Sequence, residues 1–230
     1  MSHDTGLPQG EAKVKAVDDM FDSIAPRYDL LNRLLTFGMD VGWRRKTVRA
    51  LGLPAGSQIL DLACGTGDLC RELAKGGYRA VGVDRSAGML AAQRTTAPLV
   101  RGDALRLPFR PNSVDGIVCG FALRNFASLK PFLVECHRVL RPGGRVALLE
   151  VAEPENAVLR RGHGLYFGKV VPLVGGLLSD RDAYRYLPKS VAYLPPASRM
   201  VSMMSESGFG AATRRPLSTG IAQLLTGTRR

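Results

Sequence analysis

A chain of 230 residues with 45% hydrophobic content can bury one large core, at this size roughly 70% of the unfolded surface, and one domain over residues 1–230 is the simplest count. Its 32 Lys and Arg against 20 Asp and Glu give a net charge of +12, yet the arginines are scattered and no basic helix array or RNA-binding aromatic motif accompanies them, so nucleic acid is not an expected partner. No run reaches the ~18 apolar residues of a membrane-spanning helix, and residues 1–15 lack the apolar segment of a secretory signal and read as a loose tail.

In chain order, the first informative stretch is Ile59 to Ala63, apolar on both sides of Asp61, which reads as a buried parallel strand. Gly65 and Gly67 then let the backbone turn tightly against a ligand before a helix starts near Asp68. A second strand, Ala80-Val-Gly-Val-Asp84, ends in an acid about 20 residues downstream, where a carboxylate can accept both hydroxyls of a ribose. A dinucleotide site wants a third glycine where Cys70 stands, and the lack of a G-K-[ST] sequence excludes a P-loop. Leu99-Val-Arg-Gly-Asp103-Ala104 places another acid after a short third strand, and Val114 to Gly120 is a fourth, buried strand.

Ser128 to Leu140 carries an apolar helical stripe with Ser128 as its N-cap. Arg141-Pro-Gly-Gly-Arg145 breaks that helix and opens a fifth strand, Val146 to Val151. Strands alternating with helices at these lengths imply a doubly wound α/β sheet, with ligands outside the carboxyl ends of the strands. Gly65, Asp84, Asp103 and the segment after Gly120 all fall there. Cys64, Cys70, Cys119 and Cys136 have neither metal-ligand spacing nor a short secreted context, which points to reduced core thiols in a cytoplasmic protein with no metal site.

The run D-L-A-C-G-T-G-D over residues 61–68 resembles the first motif of class I S-adenosylmethionine-dependent methyltransferases, whose sulfonium cofactor has no pyrophosphate to cradle. Beyond it, Met20 to Trp43 resembles the first signature of the ubiquinone/menaquinone C-methyltransferase family, and Phe121-Ala-Leu-Arg-Asn125 a second. Tyr166 to Gly176 and Asp182 to Ser190 are similar to that family's substrate-side insertion, and Leu217 to Gly227 to its last strand, so the similarity covers about Val14 to Gly227. It implies a Rossmann-like, mostly parallel seven-stranded sheet. Around it lie a helical cover (17–51), a cofactor-binding core (57–151), a helical substrate and membrane insertion (153–196) and a C-terminal helix with strands (197–230). The implied cofactor is S-adenosyl-L-methionine, held by Asp61, Gly65, Thr66, Gly67, Asp84, Arg85, Asp103, Ala104 and Gly120, with Asp103 on the adenine amino group. The chain departs from the family at Leu31, Thr36 and Asp40, and at Gly120, where many relatives place a serine that contacts the cofactor.

The reaction so implied is C-methylation of a prenylated quinol ring, demethylmenaquinol to menaquinol, although one sequence does not separate a naphthoquinol from a benzoquinol acceptor. Arg124 and Asn125 suit the orientation of a phenolic oxygen, and the base is either a water held by Arg124 or a carboxylate such as Asp40. Tyr28, Asn32, Tyr184 and Tyr186 stand on the substrate side, where the tyrosines equally suit core packing. His3, His137 and His163 read as solvated surface. Arg160, Arg161, Lys169, Arg181, Arg185 and Lys189 flank the apolar stretch 165–178, and cations near anionic lipid contribute about 1 kcal/mol each. An anionic membrane surface is therefore the expected partner beside the quinol, with room for a homodimer, on the inner face of the plasma membrane. Two other readings stand beside this one: an RNA-binding or regulatory protein that kept the fold and lost catalysis, and a methyltransferase for a different small acceptor.

Overall fold

A computed structural model of the chain describes residues 10–171 and 190–230. Its strands are β1 (Gln58–Leu62), β2 (Arg79–Asp84), β3 (Leu99–Arg101), β4 (Val114–Gly120), β5 (Leu140–Val151), β6 (Phe209–Leu217) and β7 (Ala222–Arg229). They form one seven-stranded sheet in the order β3-β2-β1-β4-β5-β7-β6. The first five pair in parallel, and β7 enters antiparallel between β5 and β6. Because β2 and β3 lie on one side of β1 and β4 on the other, the strand order reverses at β1/β4, and a crevice opens there at the carboxyl ends.

The helices are α1 (Gly10–Ile24), α2 (Tyr28–Leu35), α3 (Met39–Leu51), α4 (Asp68–Lys75), α5 (Ala87–Ala91), α6 (Leu129–Val139), α7 (Ala157–Leu165) and α8 (Ala197–Glu206). Successive strand residues supply opposite cores, as a period of two requires. Leu60, Leu62, Ile117, Cys119, Val146 and Leu148 pack with Phe132, Leu133 and Cys136 of α6 and Met200 and Met204 of α8. Ile59, Val118, Ala147 and Leu149 pack on the other face with Trp43 and Val48 of α3 and Leu69 and Leu73 of α4. All four cysteines are free and buried, and burial pushes each thiol well above its ordinary value, as expected of core thiols.

Two expectations shift in detail. Ser128 occupies the N-cap position of α6, but its hydroxyl makes no capping hydrogen bond. The Arg141-Pro-Gly-Gly segment does not precede β5 but lies inside it: Val114 pairs with Leu140 and Gly116 with Arg145, so the intervening residues bulge out of the ladder.

The helical cover, α1 to α3, packs a small third core of Ile24, Ala25, Leu31, Met89 and Val171. Its carboxylates fasten it to the loops beneath. Asp22 Oδ1 accepts from Gly88 N–H at 2.9 Å and from the Ser86 hydroxyl, Asp29 Oδ1 accepts from Thr66 Oγ1 at 2.6 Å, and Asp18 pairs with Arg85 at 3.1 Å. On the far side, Trp43 Nε1 donates to Ser218 Oγ at 2.8 Å and ties α3 to the β6/β7 turn.

Candidate active site

After β1 the chain turns through Ala63, Gly65 and Gly67, all in the left-handed region at φ 52°, 56° and 92°. Glycine adopts this freely, whereas Ala63 does so at a cost that the surrounding hydrogen bonds must hold. Asp84, at the end of β2, is the brace. Its Oδ2 accepts from Gly65 N–H at 2.7 Å and its Oδ1 from Ser86 N–H at 2.9 Å, fixing two loops around one carboxylate. Burial raises the Asp84 pKa against the pull of those backbone donors.

These loops enclose a pocket at the switch point, lined by Gly65, Val83, Asp84, Arg85, Asp103, Ala104, Gly120, Phe121 and Asn125 under Asp18, Phe21 and Tyr28 of the cover. Among the described residues, three carboxylates, Asp18, Asp84 and Asp103, face it against the guanidinium of Arg85, which bridges Asp18 and Asp103 at 3.1 Å each. Burial and the neighbouring acids Asp22 and Asp103 also raise the Asp18 pKa, Arg85 working against them. In a chain of net charge +12 this pocket is acidic.

A second cavity of about 400 Å³ adjoins the first and shares Tyr28 and Phe121 with it. Its walls are largely apolar, from Leu35, Phe37, Met39 and Trp43 on the cover to Val158, Leu159, Tyr166 and Phe167 opposite. Arg124 and Asp40 enter it, both buried. Arg124 Nη1 donates to Phe121 O at 2.8 Å and pairs with Glu150, while Nε donates to Ser190 Oγ at 3.1 Å. Asp40 accepts from Thr36 Oγ1 at 2.9 Å and pairs with Arg44 and, at 3.6 Å, with Arg33. Phe121 has φ 61°, an outlier for a bulky residue; its ring lies under the Arg44 guanidinium at 5.4 Å and near Trp43.

The structure thus separates residues that the sequence grouped. Gly65, Asp84, Arg85, Asp103, Ala104, Gly120 and Asn125 line the first pocket, and Asn32, Asp40 and Arg124 the second, with Tyr28 at the junction. Burial raises the Tyr28 pKa, and its hydrogen bond with Asn32 acts the other way. Asp61, Thr66 and Gly67 stand behind the first pocket: Gly67 caps α4, Thr66 anchors the cover through Asp29, and Asp61 Oδ2 accepts from Cys70 N–H at 3.1 Å. A Cβ at Gly120 would stand 2.9 Å from Leu69 Cδ1, so this glycine is fitted to the leucine that follows the motif. Tyr184 and Tyr186 lie outside the described residues. The sequence named Phe121 only as part of a signature, without a role at the site, gave no role to Glu150, and placed His163 on the solvated surface; His163 instead lines the second cavity. Nothing local marks Glu150 or His163, because each acquires its place only when β4, β5 and α7 converge.

A glycine-turned pocket of negative sign suits a cationic, hydroxyl-rich ligand and opposes a pyrophosphate. That property, with the antiparallel β7 inserted between β5 and β6, separates class I S-adenosylmethionine-dependent methyltransferases from dinucleotide-binding enzymes with their 3-2-1-4-5-6 sheet, and the chain is one of the former. It belongs to the ubiE/COQ5 methyltransferase family, which matches residues 9–229. It is 42% identical to a demethylmenaquinone methyltransferase of Roseiflexus castenholzii, over 97% of this chain and 98% of the relative. With a ubiquinone/menaquinone biosynthesis C-methyltransferase of Syntrophotalea carbinolica the identity is 43%, over 91% and 92%. In fold it is similar to a crystal structure of an S-adenosylmethionine-dependent methyltransferase of Thermotoga maritima, described as a possible histamine N-methyltransferase. The TM-score is 0.67 at 17% identity, over 92% of this chain and 99% of that one.

Two outcomes follow from the brace and its neighbour. Replacing Asp84 by Ala removes a charge-assisted anchor worth about 1.5 to 3 kcal/mol, so calorimetry should show S-adenosylmethionine affinity weakened by about one to two decades. Asp61 is pushed by burial from 3.8 to about 7, helped by the charge of Asp84, and its Oδ1 has no partner. The folded state therefore binds a proton that the unfolded state has already lost between about pH 4 and 7, and stability falls as pH rises across that window. Thermal melts should show this slope in the native chain and a flatter profile in Asp61→Asn.

Proposed function

We propose that the chain transfers a methyl group to a ring carbon of a prenylated demethylmenaquinol, yielding menaquinol. The observation that carries this is the pair of adjoining pockets: an acidic, glycine-lined one for the cofactor, and an apolar one, walled by aromatic rings, for a flat ring on a hydrocarbon tail. The names of the relatives point to the same chemistry. Gly65, Asp84, Arg85, Asp103 and Ala104 would hold S-adenosylmethionine, which would supply an activated methyl group.

What the chain must add is position and a dry, polarised wall. Tyr28 and Phe121 stand where the two pockets meet and set the approach of ring to methyl. Asn125 serves the cofactor side of the Phe121–Asn125 turn and Arg124 the substrate side, its guanidinium orienting a phenolic oxygen with Glu150 behind it. Asp40, already engaged by Thr36, Arg44 and Arg33, serves to hold the α2/α3 turn against the cavity. An oxidised quinone ring is electron-poor and does not attack an electrophilic methyl, whereas the hydroquinone does once a hydroxyl begins to lose its proton. With labelled cofactor, the label should enter the ring carbon of reduced demethylmenaquinone only. Label on oxygen, or equal labelling without reductant, would reject the assignment.

The second cavity opens at an apolar rim, and this rim is the proposed membrane contact. Phe37 is 77% and Val158 78% exposed, and Leu30, Leu34, Leu159 and Leu165 are exposed beside them. Phe37 meets the Tyr166 ring at 5.7 Å, which joins the α2 and α7 sides of the rim. Arg33, Arg160 and Arg161 are exposed nearby, and no helix of the described residues is long and apolar enough to cross a membrane. The geometry of the rim suits contact with the surface of one anionic leaflet, from which the prenyl tail enters the cavity. Binding to anionic liposomes should weaken with salt and on charge reversal at Arg160 and Arg161. Phe37→Asp should weaken it by about ten- to a hundredfold, with cofactor affinity spared. A dimer abolished by Phe37→Asp, in a chain that ignores vesicles, would instead assign the rim to a second copy.

A further inference from the structure

Phe121 walls both pockets, and its backbone is fixed: its N–H bonds Leu149 O at 2.7 Å and its carbonyl accepts from Arg124 Nη1 at 2.8 Å. Those bonds hold the Cα and leave the side chain to turn about its own torsions. What meets the ring comes from α3. Trp43 lies tilted against it at 59° with centroids 6.2 Å apart, and the Arg44 guanidinium carbon stands over it at 5.4 Å.

Arg44 is itself clamped as a plane. Its Nη1 pairs with Asp40, one turn earlier on α3, and its Nη2 pairs at 3.3 Å with Asp68, the first residue of α4 and the one that follows the glycine turn of the first pocket. At 6% exposure it has left water, where a cation over a ring is worth most. Neither carboxylate depends on Arg44 alone for a counter-charge. Asp40 also pairs with Arg33 at 3.6 Å and accepts from Thr36, and Asp68 also pairs with Arg71. Among the described residues, what Arg44 alone supplies is the cation over Phe121.

We infer that Arg44 is a positioning residue. Its guanidinium, held between Asp40 and Asp68, sets the angle of the Phe121 ring at the junction of the pockets, and with it the approach of the acceptor ring to the methyl group. The effect on the reaction rests on the quinol reading above, whereas the placement of the ring does not. Arginine suits the task, because its fork engages two carboxylates through different nitrogens and still offers a flat face to an aromatic ring, which the point charge of a lysine cannot do. A wall turned out of line leaves both ligands bound but poorly aligned, so its cost falls on kcat and not on affinity.

The test places mono-, di- and trifluorinated phenylalanine at position 121, a series that keeps the shape of the ring and drains charge from its face. Trp43, the one tryptophan of the chain, reports the ring without any acceptor present. With reduced demethylmenaquinone, kcat should fall stepwise along the series to a total of roughly two- to thirtyfold, with the acceptor KM and S-adenosylmethionine affinity unchanged. Trp43 emission should shift in the same steps. In Arg44→Met, kcat should start at the low end and both series should be flat. Should Arg44→Met not fold, Arg44→Lys takes its place and should show a shallower series. If the native chain does not methylate the ring carbon, the quinol reading falls and the Trp43 series alone decides the placement. Emission and kcat that ignore fluorination, an equally steep series without the guanidinium, or a loss carried by KM would overturn the inference.

Discussion

The buried ion pair between Arg124 and Glu150 is the constraint around which the two pockets are arranged. Glu150 is fully buried near the end of β5 and Arg124 is 5% exposed, so both charges have left water. Such a pair gives little net stability over an apolar replacement, although losing one partner typically costs about 3 to 5 kcal/mol. Its effect here is positional. Arg124 also donates to Phe121 O, and Phe121 N–H bonds Leu149 O at 2.7 Å, so the turn that holds Phe121 at φ 61° is fastened at both ends. A strained bulky residue costs on the order of 1 to 3 kcal/mol and persists only where its surroundings over-determine it. The outcome is one ring that forms a wall of both pockets.

Charge is segregated in the same spirit. The surface is strongly basic, but the acids are gathered where the cofactor loops meet the cover: Asp18 on Arg85, Asp22 on Ser86 and Gly88, Asp29 on Thr66, Asp84 on Gly65 and Ser86. Several of these contacts fasten α1 and α2 to the loops, while Asp18, Asp84 and Asp103 turn their charge toward the pocket. A cationic ligand entering there relieves the mutual repulsion of carboxylates whose pKa values burial has raised, and Asp18 among them also fastens the cover through Arg85.

Most of the sheet was legible in the sequence, because buried parallel strands are short apolar runs and their ends are punctuated by glycine or an acid: Ile59 to Leu62 before Gly65, Ala80 to Asp84, Val114 to Gly120. The residues that line the first pocket were legible for the same reason, since they sit at strand ends that the pattern itself marks. The limits are equally physical. Asp61, Thr66 and Gly67 share a motif with Gly65, yet a turn of this tightness sends neighbouring side chains in different directions, so the three stand behind the pocket as supports. The second cavity left almost no local trace. Its walls come from α2, α3, α7 and the turn after β4, segments far apart in the chain whose apolar residues could as well have been core, and His163 differs from a surface histidine only by what folds around it.

On the proposed reading, the arrangement also solves a problem of two solvents. The cofactor is water-soluble and the acceptor lives in a bilayer, so a single mouth would force one of them through the wrong medium. Here the acidic pocket lies under the α1 cover beside α5, whereas the apolar cavity opens between the α2/α3 turn and α7, at the rim of Phe37, Val158 and Leu159. Among the described residues the two spaces share the walls Tyr28 and Phe121. A chain resting by its rim on a leaflet can then exchange cofactor from water while the tail of the acceptor remains in lipid. The reacting atoms alone are brought into the shared, water-poor junction, where fixed dipoles and charges act at low dielectric.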